Sequence, residues 1–266
     1  MSAARGNRFE EFFADDTYVV LKNFLYNYLL RKRAIGICLR GVGKGPTLEI
    51  GSGLSPTVDD AQGTVFSDLS FAALKNLKDR RGMEMCVVAD AGRLPFKPDS
   101  FTRIVCSEVL EHIPDDLPAF REMAAILRRG GSLILTFPHR KAYFACDDRF
   151  VRHYRRYELS EMEDRLRGAG LIPVEIVKIL GPLEKLTMIL VTAGISAFGR
   201  RGTGRRPASG GGVAERIIRQ TFIGLNRLYR LPVRLDNWLA PRALSVVLLI
   251  RAVRPEQCPG ALHTVR

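Results

Sequence analysis

Apolar residues along the chain follow two rhythms. From about Asp16 to Leu39, Tyr18, Leu21, Leu25, Tyr28, Ile35 and Leu39 recur at helical spacing and Gly41 stops the run. This predicts an opening helix whose charges gather late, in the Arg31-Lys32-Arg33 triplet. The rhythm then shortens to apolar blocks of strand length bounded by turn residues, at Thr47–Ile50, Thr64–Ser67, Met85–Ala89, Arg103–Cys106 and Ser132–Phe137. Helix-like stretches at Ser70–Arg80 and about Pro118–Leu127 separate the later blocks, and alternation of this kind predicts βαβ units on a parallel sheet.

Further on, "ELSEMEDRLRGAGL" pairs Ser160 with Glu163 as a capping box and carries Gly168 and Gly170 where such a helix should stop. A strand is expected at Pro173–Leu180. Beyond it the pattern becomes irregular: an apolar segment at Leu186–Phe198, a Gly/Arg-rich stretch at Gly199–Gly212, an amphipathic helix at about Ala214–Arg230, and a last apolar run at Ala243–Ile250. The Gly/Arg stretch reads as a linker, with phosphate binding as the alternative. The amphipathic helix sets Ile217, Ile218, Phe222, Leu225, Leu228 and Tyr229 against Arg216, Arg219, Arg227 and Arg230. It fits packing on a core with its arginines in water, or lying on an anionic membrane. Trp238 is expected to anchor packing. These patterns divide the chain into a helical extension (1–44), an α/β core (45–180), a basic helical insertion (181–242) and a closing strand with its tail (243–266).

Composition adds bounds. A chain of 266 residues with 46% hydrophobic content can bury a substantial core. Five cysteines with no CxxC pair and no His-rich neighbourhood indicate neither a disulfide framework nor a metal site, and fit a reducing, cytoplasmic setting. Cys86 and Cys106, on expected strands, read as core residues. No segment reads as a signal peptide, and no apolar run reaches the roughly 20 residues of a spanning helix. The net charge of +13 is unevenly placed, with 14 Lys/Arg against 4 Asp/Glu from Gly181 onward and 8 against 4 up to Lys44. Basic wings around a neutral centre direct any anionic partner, membrane surface or nucleic acid, to the wings; a solvated surface is the plain alternative.

The chemistry concentrates at the ends of the expected strands. "LEIGSG" runs from an acidic strand end into Gly51-Ser52-Gly53, which leaves backbone open to a ligand. As a bare tripeptide this fits an ordinary tight turn equally well. The next strand ends in "SDLS", placing Asp68 where a ribose diol would lie, the third in "ADAGRLPF", with Asp90 and an apolar wall, and the fourth in "SEVLEHIPD". Polar residues delivered at one edge by successive strands are not what random turns produce. A dinucleotide-dependent oxidoreductase is the rival reading, but Ser55-Pro56 does not continue a G-x-G-x-x-G pattern.

With "LRRGGSLILTFP", these motifs resemble the class I S-adenosylmethionine-dependent methyltransferases, in particular the methyltransferase type 11 group that includes ubiquinone and menaquinone biosynthesis enzymes. The resemblance covers about Thr47 to His139. It implies a Rossmann-like α/β fold: a mainly parallel seven-stranded sheet with an antiparallel last strand near Ala243 and helices on both faces, and the helical insertion between the last two strands is expected to cover the pocket. It implies S-adenosyl-L-methionine as cofactor, with Glu49, Gly51, Ser52 and Gly53 around the methionine part, Asp68 and Leu69 at the ribose, Asp90 and Ala91 at the adenine, and Ser107 and Glu108 alongside. Two departures stand out. "GSGLSPTVDDAQG" is about as short as a parallel crossover can be, so the first helix should be stunted or replaced by a loop. Thr102 follows Phe101 where the family often has aspartate.

His112 is the candidate base, with filling a turn before Pro114 as the alternative. The stretch "DDRFVRHYRRYELSEMEDRL" resembles the region over the acceptor pocket in this group. It supplies His153 and Tyr154 as catalytic candidates and Arg149, Arg152, Arg156 and Tyr157 as substrate contacts, the arginines suited to a carboxylate or phosphate. A solvated basic loop is the alternative, and His139-Arg140 is a weaker candidate of the same kind. The expected function is methyl transfer to a small-molecule or lipid-like acceptor, with peripheral contact to an anionic membrane surface open. An RNA methyltransferase would account for the charge, but no "NPPY"-like tetrapeptide stands after the fourth strand. A non-catalytic cofactor-binding or membrane-associated protein is the remaining alternative.

Overall fold

β1, Thr47–Ile50, is buried at all four residues because strands pair with it on both sides. In the computed structural model, which describes residues 25–199 and 213–256, it is the centre of a seven-stranded sheet of order β3-β2-β1-β4-β5-β7-β6. The other strands are β2 (Thr64–Asp68), β3 (Cys86–Val88), β4 (Phe101–Ser107), β5 (Leu127–Pro138), β6 (Ile172–Leu180) and β7 (Val247–Val253). The first five are parallel, and β7 inserts antiparallel between β5 and β6. The chain winds outward from β1 to β3, then restarts at β4 on the other side. That reversal leaves a crevice outside the carboxyl ends of β1 and β4, the usual ligand position in open α/β sheets.

Strand alternation sorts the core into two layers. Leu133 and Leu135 of β5 and Leu248 and Ile250 of β7 pack with Phe120 and Met123 of α3 (Leu117–Ile126) and Leu166 of α5 (Leu159–Gly168). Ile134, Val247 and Leu249, on the other face, meet Tyr26, Ile35 and Cys38 of α1 (Tyr26–Arg40) and Val233 of α7 (Val213–Leu239). α2 (Phe71–Arg81) covers β2 and β3 through Leu74 and Leu77 against Phe66. Between β5 and α5 lies the five-residue α4 (Cys146–Phe150), and α6 (Pro182–Gly199) follows β6.

Several local expectations change. No helix forms between β1 and β2; a loop makes the whole crossover, as its length required. The Ser160–Glu163 capping box does not form: Glu158 is the N-cap residue of α5, and its carboxylate instead accepts the Lys141 N–H at 2.8 Å. The last strand starts at Val247, and Ala243 lies in a 3-10 turn over Arg242–Leu244. α7 continues past Arg230, through Pro232, because packing holds its last turns: Val233 is fully buried and the Asp236 carboxylate accepts the Leu183 N–H at 3.1 Å. Trp238 is no packing anchor, being 80% exposed. The expected helix over Asp16–Phe24, the Gly/Arg stretch beyond Gly199, and the side chains of Arg216 to Arg219 lie outside the described residues.

Candidate functional site

The crevice is a cavity of about 470 Å³ at the carboxyl ends of the parallel strands. Glu49, Gly51, Ser52 and Gly53 line it from β1, and Asp68 and Leu69 from β2. Asp90 and Ala91 follow β3, and Ser107 and Glu108 close β4. The fold thus collects at one cavity all ten residues expected at a cofactor.

Gly51 and Gly53 have φ of 71° and 52°, in the left-handed region. A Cβ on Gly51 would also stand 2.2 Å from Val109 Cγ2, so the position admits glycine on two counts. The backbone N–H groups of this stretch face the protein rather than a ligand. Gly51 and Ser52 both donate to Ser67 O, at 2.7 and 3.1 Å, and Gly53 donates to Asp68 Oδ2 at 2.8 Å. The unmet polar groups are hydroxyls: Ser52 Oγ and Ser55 Oγ are buried, line the cavity and have no hydrogen-bond partner. Buried groups of this kind favour a polar ligand. Asp68 accepts from the Gly53 and Ser70 N–H groups, which fix its carboxylate at the cavity, where a carboxylate suits vicinal hydroxyls. Glu49 is fully enclosed, and its oxygens take the Thr57 N–H and hydroxyl and the Val58 N–H at 2.6 to 3.0 Å. It therefore staples the crossover loop as well as lining the cavity. Burial raises its pKa, with those hydrogen bonds acting against the rise. The donor set fits a nucleoside-bearing, zwitterionic cofactor.

On the acceptor side, His112 ends the short helix Leu110–His112, and its ring packs edge-on against His153 with centroids 4.7 Å apart. His153 Nδ1 lies 2.9 Å from Asp148 Oδ1. Asp148 loses solvation, which alone would raise its pKa, but hydrogen bonds from His153, Arg156 and Lys185 hold it well below the ordinary carboxylate range. An ionised carboxylate only accepts, so Nδ1 is the donor and Nε2 is turned toward Glu111, 3.7 Å away. Glu111 has no solvent exposure and neither carboxylate oxygen is hydrogen-bonded. Burial first, then the Glu108 charge, push its pKa far up. Although the cysteine and histidine spacing gave no sign of it, Glu111, His112 and His153 bring ligand-type atoms within 4.8 Å of one another.

The other expected acceptor residues divide. Arg152 lines the cavity with φ of 63°. Arg156 also reaches it but is spent internally, with Nε at 2.8 and 2.9 Å from the two Asp148 oxygens. Tyr157 lies in the core at 0% exposure and donates to Asp116 Oδ2 at 2.5 Å, so it is not a substrate contact. Arg149, exposed over the Phe144 ring, and Tyr154 do not line the cavity. His139 is buried with Nδ1 2.9 Å from Ser245 Oγ, tying β5 to the turn before β7.

The insertion between the last two strands, expected over the pocket, does line it through α6, whereas the part played by α1 has no counterpart in the sequence reading. α1 contributes Tyr28, whose hydroxyl donates to Pro56 O at 2.8 Å, and Arg31, which pairs with Glu108 at 3.1 Å. Glu108 sits at φ 55°, a strained setting held by this ion pair and by its N–H to Thr136 O. α6 contributes Lys185, buried 2.6 Å from Asp147 and 2.7 Å from Asp148. The one signal for Arg31 is its place in the basic triplet; Lys185 has none.

Comparison with known proteins agrees with this geometry. The methyltransferase-domain family matches residues 48–135. A ubiquinone/menaquinone biosynthesis C-methyltransferase, UbiE, of Coxiella burnetii is 30% identical over 98 residues, 34% of this chain and 39% of that protein. The chain spans between 17% and 58% of the length of such curated relatives. Among solved structures, an S-adenosylmethionine-dependent methyltransferase of Thermotoga maritima superposes with a TM-score of 0.58 at 18% identity, covering 92% of this chain and 98% of the other. The [4+2]-cyclase SpnF aligns at 0.54 and 16% identity over 85% and 82%, so the fold alone does not name a reaction. Residues 48–135 are thus similar to a methyltransferase domain, carried on a fold that class I S-adenosylmethionine-dependent methyltransferases share.

Proposed function

We propose that the chain transfers a methyl group from S-adenosylmethionine to a hydroxyl of a small or lipid-like acceptor. The observation that carries this reading is the single cavity lined both by the strand-end residues Gly51 to Gly53, Asp68 and Asp90 and by His112 and His153. When bound, the cofactor supplies an electrophilic sulfonium methyl and leaves as a neutral thioether. Ser52 and Ser55 would hold its polar amino-acid end, Asp68 its ribose and Asp90 its base. His112 would take the proton released as the acceptor oxygen forms its new bond, and His153, oriented by Asp148, would sit beside it as a second imidazole. Phe150, Val151 and Met188 give the acceptor end an apolar wall, which supports a lipid-like substrate.

Transfer of labelled methyl groups to a panel of phenols, catechols and prenylated phenols tests this. The expected result is O-methylated product, with kcat lowered about 10²- to 10⁴-fold in His112→Gln. Product formed only on amines, or an unchanged kcat in His112→Gln, would contradict the reading.

A further inference from the structure

α7 turns its apolar side outward. Among its described side chains Ile223, Asn226 and Val233 are buried, whereas Leu225, Leu228, Leu231, Leu235, Trp238 and Leu239 recur at helical spacing with 55% to 80% of their surface exposed. α6 is joined to it by a hydrogen bond between Thr187 Oγ1 and the Tyr229 hydroxyl, at 2.5 Å, and leaves Leu186, Leu190 and Val191 exposed by 49% to 63%. Soluble proteins rarely leave so many large side chains uncovered together.

Cations border this face. Arg227 and Arg234 are exposed and share the i, i+4, i+7, i+11 row with Leu231 and Trp238. Arg230 and, from α1, Arg33 complete the group. Burial together with the nearby charges of Arg234, Arg33 and Arg227 lowers the Arg230 pKa, a sign of how closely the four are gathered. Among the described residues no carboxylate pairs with any of them. A second copy docked face to face would bring like-charged rows together, and a nucleic acid would leave the leucine stripe uncovered.

We propose that the outward face of α7, with the exposed stripe of α6, docks on an anionic lipid bilayer: the leucines and Trp238 enter the boundary between headgroups and acyl chains while Arg33, Arg227 and Arg234 meet lipid phosphates. This docking does not depend on methyl transfer. It gains a use from it, since α6 also lines the cavity through Lys185 and Met188.

Trp238 is the only tryptophan of the chain and so reports directly on this face. With the full chain, vesicles of phosphatidylcholine and phosphatidylglycerol should shift its emission to shorter wavelength and carry the protein with them on sedimentation. The affinity should fall with salt, and roughly fivefold for each charge removed in Arg227→Gln and Arg234→Gln. Leu231→Glu with Leu235→Glu, both at exposed positions, should abolish the shift while leaving S-adenosylhomocysteine binding intact, which separates loss of docking from loss of fold or cofactor site. An unchanged emission with anionic vesicles, equal binding to pure phosphatidylcholine, or a doubled mass in lipid-free solution that the leucine variants halve would each overturn the proposal.

Discussion

Gly51 combines a left-handed φ of 71° with a wall 2.2 Å from where a Cβ would stand. Gly51→Ala should therefore cost about 2 kcal/mol or more, from backbone strain and overpacking against Val109, measurable by denaturant unfolding. A cost under ~0.5 kcal/mol would contradict the tight turn. Glu111 makes a different kind of prediction. Its pKa rises on folding, so above the unfolded value of about 4.3 the native state keeps a proton that the unfolded chain has released. Stability should then fall as pH climbs through that range. Glu111→Gln, which cannot ionise, should raise Tm relative to wild type at pH 8 by an amount that shrinks toward pH 4. A constant or reversed gap would show that Glu111 is ionised in the fold. At this scale Asp68, Asp90 and Glu108 are legible in the sequence because each ends an apolar block of strand length. The internal use of Arg156 and Tyr157 is not, since a basic aromatic stretch reads alike whether its partners are substrate or protein carboxylates.

Among the elements, α6 is tied to α4 by Lys185, buried with Nζ at 2.6 and 2.7 Å from the Asp147 oxygens. Lys185→Met would leave Asp147 as a buried charge short of its main partner. The expected loss is about 3 to 5 kcal/mol, with faster proteolysis in α6, and adding Asp147→Asn should recover most of it. No loss in the single variant would make the network incidental. The same network supplies an acid limit: Asp148, whose pKa is lowered by folding, stabilises the native state above its unfolded pKa and loses that contribution as pH falls. Strands and helices of the matched core are legible because periods of 2 and 3.6 residues survive in any context. The insertion is legible as a cover for the pocket, but the part of α1 is not, because it depends on contacts between Tyr26 and Glu184 and between Arg31 and Glu108, more than 75 positions apart in sequence for each pair. The end of α7 is not legible either: the periodic pattern fades at about Arg230, where tertiary packing carries the helix on to Leu239.

For the whole molecule, the strand order explains why one cavity serves both halves of the site. Reversal of winding between β1 and β4 brings the Gly51–Gly53 turn against the segment that holds Glu108 to His112, and the antiparallel β7 places Val246 and Val247 on the same cavity. The charge asymmetry belongs to this scale too: Arg227, Arg230 and Arg234, with Arg33 of α1, gather beside an apolar face of α7, whereas Arg251 and Arg254 pair with Glu175 and Asp99 and Arg31 lines the cavity. The central claim is that the strand ends form a cradle for S-adenosylmethionine, and calorimetric titration of the full chain with S-adenosylmethionine and S-adenosylhomocysteine tests it most directly, in wild type and in Asp68→Asn. Dissociation constants on the order of micromolar, weakened at least ~10-fold by Asp68→Asn, are expected; a folded wild type that binds neither ligand, or an Asp68→Asn chain that binds both as tightly, would contradict it.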